Sequence, residues 1–156
     1  MAASLAVGVL AGALGAGWFG GAGADSELAR AGDRALTAGG RLARALDRQL
    51  AQEGAAGDVR VGLSFLSREG SYCRSFQLGA SSGLACREDD AWRIPVLADT
   101  PVEASGYRQA GSALPLAVLD AVDARIAGAT LDAAAERAAR DRGWKGGAPL
   151  RAPAQQ

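Results

Sequence analysis

Histidine is absent from all 156 residues, and that gap removes both the commonest general base and the commonest zinc ligand. A serine triad built on Ser64, Ser71 or Ser75 has no imidazole to activate its hydroxyl. Lysine is nearly missing as well: Lys145 is the only one, and every other cationic side chain is arginine. The 17 basic and 17 acidic residues cancel and are intermixed, so no basic stripe points to a nucleic-acid partner. Carboxylates concentrate only at Glu88, Asp89 and Asp90. Calcium needs more oxygen ligands at defined spacing, so this run reads as a solvated turn. No glycine-rich phosphate loop follows a strand. The expectation is a protein that is not an enzyme, with no catalytic, cofactor-binding or metal-binding residues.

Cysteine is scarce too. Cys73 and Cys86 form an even pair on one short segment, which fits a single disulfide in an oxidising compartment and two buried thiols in a reduced one. Without histidine the pair makes a poor zinc site, and its spacing is unlike that of thiol oxidoreductases. The preferred reading is a structural staple. A redox-sensing or thiophilic-metal-sensing pair is the alternative.

Charge is also excluded from the start of the chain. Between Ala2 and Ala24 no residue is charged, and Ser4 is the only polar side chain. A helix needs about 20 apolar residues to cross the hydrocarbon core, so residues 1–24 read first as a transmembrane helix. The rival is a signal segment cleaved after Ala22-Gly23-Ala24 to leave Asp25 as the new terminus, although nothing basic precedes the apolar run. A buried helix of a soluble protein is the third reading. Gly8, Gly12, Gly17 and Gly21 stand at close-approach spacing, the feature through which a homodimer would form. Arg30, Arg34, Arg41 and Arg44 all follow the segment. Taken alone, they put the carboxyl side in the cytoplasm, whereas a disulfide argues for the outside. A preceding cytoplasmic part carrying positive charge would remove the conflict.

Residues 25–145 read as a small extracytoplasmic α+β domain. Ser26 to Glu53 is expected as one long helix, capped by Ser26 and striped by Leu42, Leu46 and Leu50, with a kink or break at Gly39-Gly40. The period then falls to two. Val59, Val61, Leu63 and Phe65 alternate with polar or small residues, followed by strands around Tyr72–Phe76, Leu84–Arg87 and Trp92–Val96, a four-stranded antiparallel meander. Pro95 lacks a ladder donor and places the fourth strand at an edge. If Gly79-Ala80 is a two-residue hairpin turn, Leu78 faces Ser81, and counting outward sets Cys73 opposite Cys86 within bonding range. A longer turn would shift the register and separate them. Pro115 is expected to open a helix running to about Ile126 and broken by Gly128. Thr130 is expected to cap a last helix, Leu131 to Arg142, after which Trp144 folds back onto the core. Residues 146–156 lack any pattern and read as a disordered tail.

The run Val61-Gly-Leu-Ser-Phe65, then Gly70-Ser-Tyr-Cys-Arg-Ser-Phe76, then Gly83-Leu-Ala-Cys-Arg87 and Trp92-Arg93, resembles the extracytoplasmic domain of proteobacterial single-pass anti-sigma factors. The segments Ala38 to Leu50 and Leu131 to Trp144 look similar as well, so the resemblance spans Ala2 to Trp144. It implies an inner-membrane, single-pass protein with its soluble domain in the periplasm. Its function would be to receive a signal and regulate an extracytoplasmic-function sigma factor. The family's sigma-binding helices have no counterpart here, so a sigma factor is expected as partner only through a cytoplasmic region outside this sequence. Other expected partners are the membrane and a protein, with no nucleic acid and no cofactor. Arg74 and Arg87, taken as exposed, mark a candidate contact face, with ordinary solvated charge as the alternative. The competing function is a secreted or periplasmic non-catalytic binding module.

Overall fold

The computed structural model describes residues 28–31, 35–55, 57–100 and 114–146. The expected membrane or signal segment at 1–24 and most of the expected tail lie outside them. Among the described residues no helix is long and apolar enough to cross a membrane.

The architecture is α+β, but the sheet is larger than a four-stranded meander. Seven antiparallel strands run in the order β1-β2-β6-β5-β4-β3-β7. Their spans are β1 Leu28–Ala31, β2 Ala35–Ala38, β3 Val59–Ser67, β4 Tyr72–Leu78, β5 Ser81–Glu88, β6 Ala91–Asp99 and β7 Ile126–Thr130. Three helices accompany it, α1 Gly40–Arg48, α2 Leu116–Arg125 and α3 Ala133–Asp141.

The long first helix is corrected at both ends: α1 stops at Arg48, with a separate 3-10 turn at Ala51–Glu53, and its expected amino-terminal half is not helical. Gly39 is a boundary, as its flexibility suggested, but what precedes it is the β1–β2 hairpin, paired from Leu28↔Ala38 to Ala31↔Ala35. The sheet edge recruits this Ala-rich stretch, whose own helical propensity is a weak constraint beside tertiary pairing. β2 pairs with β6 through Leu36↔Ile94 and Thr37↔Arg93, so β6 is internal, and its placement at an edge is also corrected. Pro95 is accommodated by a bulge. Between Cys86↔Arg93 and Leu84↔Val96, β6 carries one residue more than β5, and β2 pairing stops at Ile94. The missing donor therefore falls where no ladder bond is required.

A second bulge sits in β3. Val61 pairs with Phe76 and Ser64 with Arg74, so Gly62 and Leu63 together oppose Ser75. The Leu63 N–H is satisfied by Ser75 Oγ at 2.8 Å. This interruption overturns the simple alternation expected from Val59 to Phe65. Val59 and Val61 are buried with α1 and α3, Phe65 is buried on the opposite face with α2, and Leu63 is exposed.

Two cores follow from the two faces. Leu42, Leu46, Ala139 and Trp144 cover Val59, Val61, Tyr72, Phe76, Trp92 and Ile94. Val118 and Val122, one turn apart on α2, cover Phe65, Cys73, Leu84 and Cys86. α2 opens after Pro115 and stops at Arg125 with Ile126 as its cap, where the sequence placed it, but Gly128, with φ 100°, lies in β7 and does not break the helix. Asp132 caps α3 by accepting the Ala135 N–H at 2.8 Å, in place of Thr130. Gly143 and Trp144, both left-handed, close α3 with bonds from Gly143 N to Arg140 O and from Trp144 N to Ala139 O. That turn swings the indole into the core, where Trp144 is fully buried.

Candidate functional site

The alternation of β4 decides where its polar residues go. Tyr72, Arg74 and Phe76 point to the α1/α3 side, and Cys73 points to the α2 side. Arg74 is consequently sealed inside the larger core with no exposed surface, and Arg87 keeps only 17% of its side chain exposed. The expected contact face built on these two arginines is therefore corrected: the strand's pleat turns Arg74 inward, and Arg87 lies over Trp92 and bonds to α1.

An unpaired buried guanidinium would cost several kcal/mol, and Arg74 is surrounded by groups that offset this. Its Nε donates to Ser64 Oγ at 2.9 Å, one terminal nitrogen donates to Leu46 O, and the other donates to Gln49 O at 2.6 Å and to Glu136 Oε1 at 2.7 Å. The guanidinium also lies 4.2 Å from the Trp144 ring centroid. Burial pushes its pKa down to about 10, with the Glu136 carboxylate opposing the shift, so the group stays charged at neutral pH. Leu46 O and Gln49 O belong to the end of α1, where carbonyls lack intrahelical partners. Arg74 thus serves as a buried cap of that helix.

Glu136 completes the arrangement. Its carboxylate accepts the Ser64 hydroxyl at 2.6 Å and the Ala51 N–H at 3.1 and 3.2 Å. Ser64 donates to Glu136 and accepts from Arg74, so its hydroxyl is held on both sides. A neighbouring node forms at Asp47. Its side chain accepts Trp92 Nε1 at 2.8 Å and Arg87 at 3.0 Å, and its backbone carbonyl accepts Trp144 Nε1 at 2.9 Å. Together these bonds tie α1, β3, β4, β5, β6 and α3 into one unit. Chemically, this is a rigid ionic clasp.

Cys73 and Cys86 are bonded to each other and lie opposite in the β4–β5 register, with Cα atoms 4.0 Å apart. The two-residue turn on which that pairing depended is present. Leu78 faces Ser81, and Gly79 takes φ 56° at the first turn position. Both cysteines are buried beneath Val118 and Val122. Of the acidic run, Glu88 ends β5 and Asp89 and Asp90 form the exposed β5–β6 turn, both in left-handed conformations. Among the described residues no three metal-ligating side chains converge.

Sequence reasoning singled out Arg74 but missed its partner Glu136, the part Ser64 plays between them, and the neighbouring node at Asp47. One signal was present. Glu136 lies three residues before Ala139, on the buried stripe of α3, an acid where an apolar residue is expected. The open surface of the domain includes a cleft of about 490 Å³ between α1 and the start of β3, flanked by Arg41, Arg44 and Arg48. Comparison with protein-family models, with curated proteins and with solved structures finds no match to this chain.

Proposed function

We propose that this domain is the signal-receiving extracytoplasmic part of a single-pass membrane anti-sigma factor, acting by binding and not by catalysis. The observation that carries the reading is the buried Cys73–Cys86 bond across the β4–β5 pair, because such cross-links persist in oxidising compartments. It lies within the Tyr72-Cys73-Arg74 and Ala85-Cys86-Arg87 pair on which the family resemblance rests. Two further features support a receiver. Arg74, Glu136 and Ser64 of the core are engaged in holding the fold, and the open cleft on α1 offers a place for a ligand. In this reading residues 1–24 span the inner membrane and place the domain in the periplasm.

The test is transcriptional. Residues 25–144 are deleted from the chromosomal gene, and output from the sigma-dependent promoter is followed under envelope stress. Loss of the stress response is expected, and an unchanged response would sink the sensory role. The secreted binding module is the second reading, favoured by the same cleft. Terminal sequencing separates the two, since a mature chain beginning at Asp25 establishes secretion and an intact segment establishes anchoring.

A further inference from the structure

The two faces of the sheet are held by different means. On the α1/α3 side, buried polar bonds add to the apolar core: Arg74 reaches Leu46 O, Gln49 O and Glu136, and Asp47 accepts Trp92 Nε1. On the other side α2 buries only Val118 and Val122. Among the described residues, every hydrogen bond to α2 from beyond residues 115–126 comes from Arg68, in the β3–β4 turn. Its backbone N–H donates to Arg125 O at 2.8 Å, and its guanidinium donates to Ala124 O at 3.2 Å and Asp123 O at 3.5 Å. The guanidinium also donates to Ile126 O at 3.2 Å, just past the helix. Arg68 is exposed, and a hydrogen bond in water holds less firmly than one in the interior.

What α2 covers is the cystine. Cys73 and Cys86 are 1% and 5% exposed, and with Phe65 and Leu84 they form the floor beneath Val118 and Val122. While the helix is docked, neither sulfur is open to attack by a thiol. An element held by few buried apolar contacts and by exposed hydrogen bonds opens at a lower free energy than the rest of its domain. α2 passes into β7 at Ile126 with no intervening loop, which gives it one point about which to swing.

We propose that α2 is a latched cover over the Cys73–Cys86 disulfide, opening as a unit while the α1/α3 side stays folded, and that its opening admits a dithiol reductant. One thiolate of the dithiol attacks Cys86 Sγ, the more exposed sulfur of the pair. A mixed disulfide forms, the Cys73–Cys86 bond breaks, and Cys73 leaves as a thiolate that takes up a proton. The reductant's second thiol then attacks the mixed disulfide, releasing Cys86 as a thiol and leaving the reductant as a disulfide. Two electrons pass from the dithiol to the cystine. β4 lies between β3 and β5, and β5 between β4 and β6. The outer ladders therefore keep the two thiols opposite each other, and the bond can form again. The device is independent of the proposed role as signal receiver; within that role it makes the domain responsive to the thiol balance of its compartment.

Hydrogen exchange of the full chain in detergent tests the opening, and reduction by dithiothreitol tests its consequence. The α2 amides are expected to exchange faster than those of α1 and α3, through an opening that depends only weakly on urea. Reduction, followed by alkylation and mass spectrometry, should show the same weak urea dependence. Arg68→Gln should speed both α2 exchange and reduction by on the order of tenfold, with exchange of α1 and α3 unchanged. Exchange of α2 only together with α1 and α3 would overturn the cover. So would reduction that merely keeps pace with global unfolding, or an Arg68→Gln variant reduced at the original rate. None of these measurements depends on the promoter response, so the cover and the receiver stand or fall separately.

Discussion

Arg74 and Glu136 meet at 2.7 Å inside the core, with side chains 0% and 3% exposed, although 62 residues separate them in the chain. The pair joins β4 to α3, and it is sensitive to losing either partner. Removing one side of a buried ion pair leaves an uncompensated charge and costs about 3–5 kcal/mol. Glu136→Leu is therefore expected to lower stability by about that amount in urea unfolding. The double variant Arg74→Met with Glu136→Leu should recover part of the loss. A double variant less stable than Glu136→Leu alone would show that the clasp stabilises by more than charge neutralisation.

The disulfide makes a separate prediction. Closing a loop of this length constrains the unfolded chain by about 3 kcal/mol on the chain-entropy model. Cys73→Ser with Cys86→Ser should lose about that much and melt earlier, with strand content retained. Alkylation without reductant should label neither cysteine of the native protein. Full labelling of both would contradict the bond and the compartment inferred from it.

Trp144 separates shape from hydrogen bonding. Trp144→Phe keeps a ring beneath Arg74 but removes the donor to Asp47 O, a change of about 1 kcal/mol plus the smaller ring's gap. Trp144→Ala opens a cavity and should cost about 3–5 kcal/mol. Similar losses in the two variants would mean that the indole nitrogen, and not packing, secures the closing turn.

Gly83 is needed for space and not for conformation. An added Cβ would meet Phe76 Cζ at 2.7 Å and Val96 O at 2.8 Å, and overpacking of this kind costs about 1–3 kcal/mol. Gly79 shows the opposite demand, having open space but a φ of 56°. Gly83→Ala should broaden or lose Phe76 ring signals in NMR spectra, whereas Gly79→Ala should leave them in place.

Much of the sheet's centre was legible because β-hairpins announce themselves locally. Gly79-Ala80 and Asp89-Asp90 carry turn chemistry, and counting from the first placed Cys73 opposite Cys86. The β1–β2 hairpin was not legible, since Leu28–Ala38 is Ala-rich and its strand state depends on pairing with Arg93 and Ile94. β7 was missed because its pairing to β3 is long-range, carried by Phe65↔Thr130 and Ser67↔Ile126. The burial of Arg74 was hidden for a similar reason. The Tyr72-Cys73-Arg74 run shows which residues alternate, but only Glu136, far along the chain, shows which face is covered by a carboxylate.

The bulges at Gly62-Leu63 and Ile94-Pro95 act as slack in the chain's spacing. Each strand carries one residue beyond what its partner requires, so length can change there without reassigning side chains on either flank. Deleting Gly62 would leave Val61 opposite Phe76 and Ser64 opposite Arg74, and the ionic clasp would survive on a straighter strand. Deleting Arg60 instead would turn Val59 toward the wrong side of the sheet. Thermal melts of the two deletions should differ accordingly, with Gly62 the milder. The β3–β4 and β5–β6 ladders thus concentrate their tolerance for insertion and deletion in two short joints, and along the rest of those two ladders the count of residues is as binding as their identity.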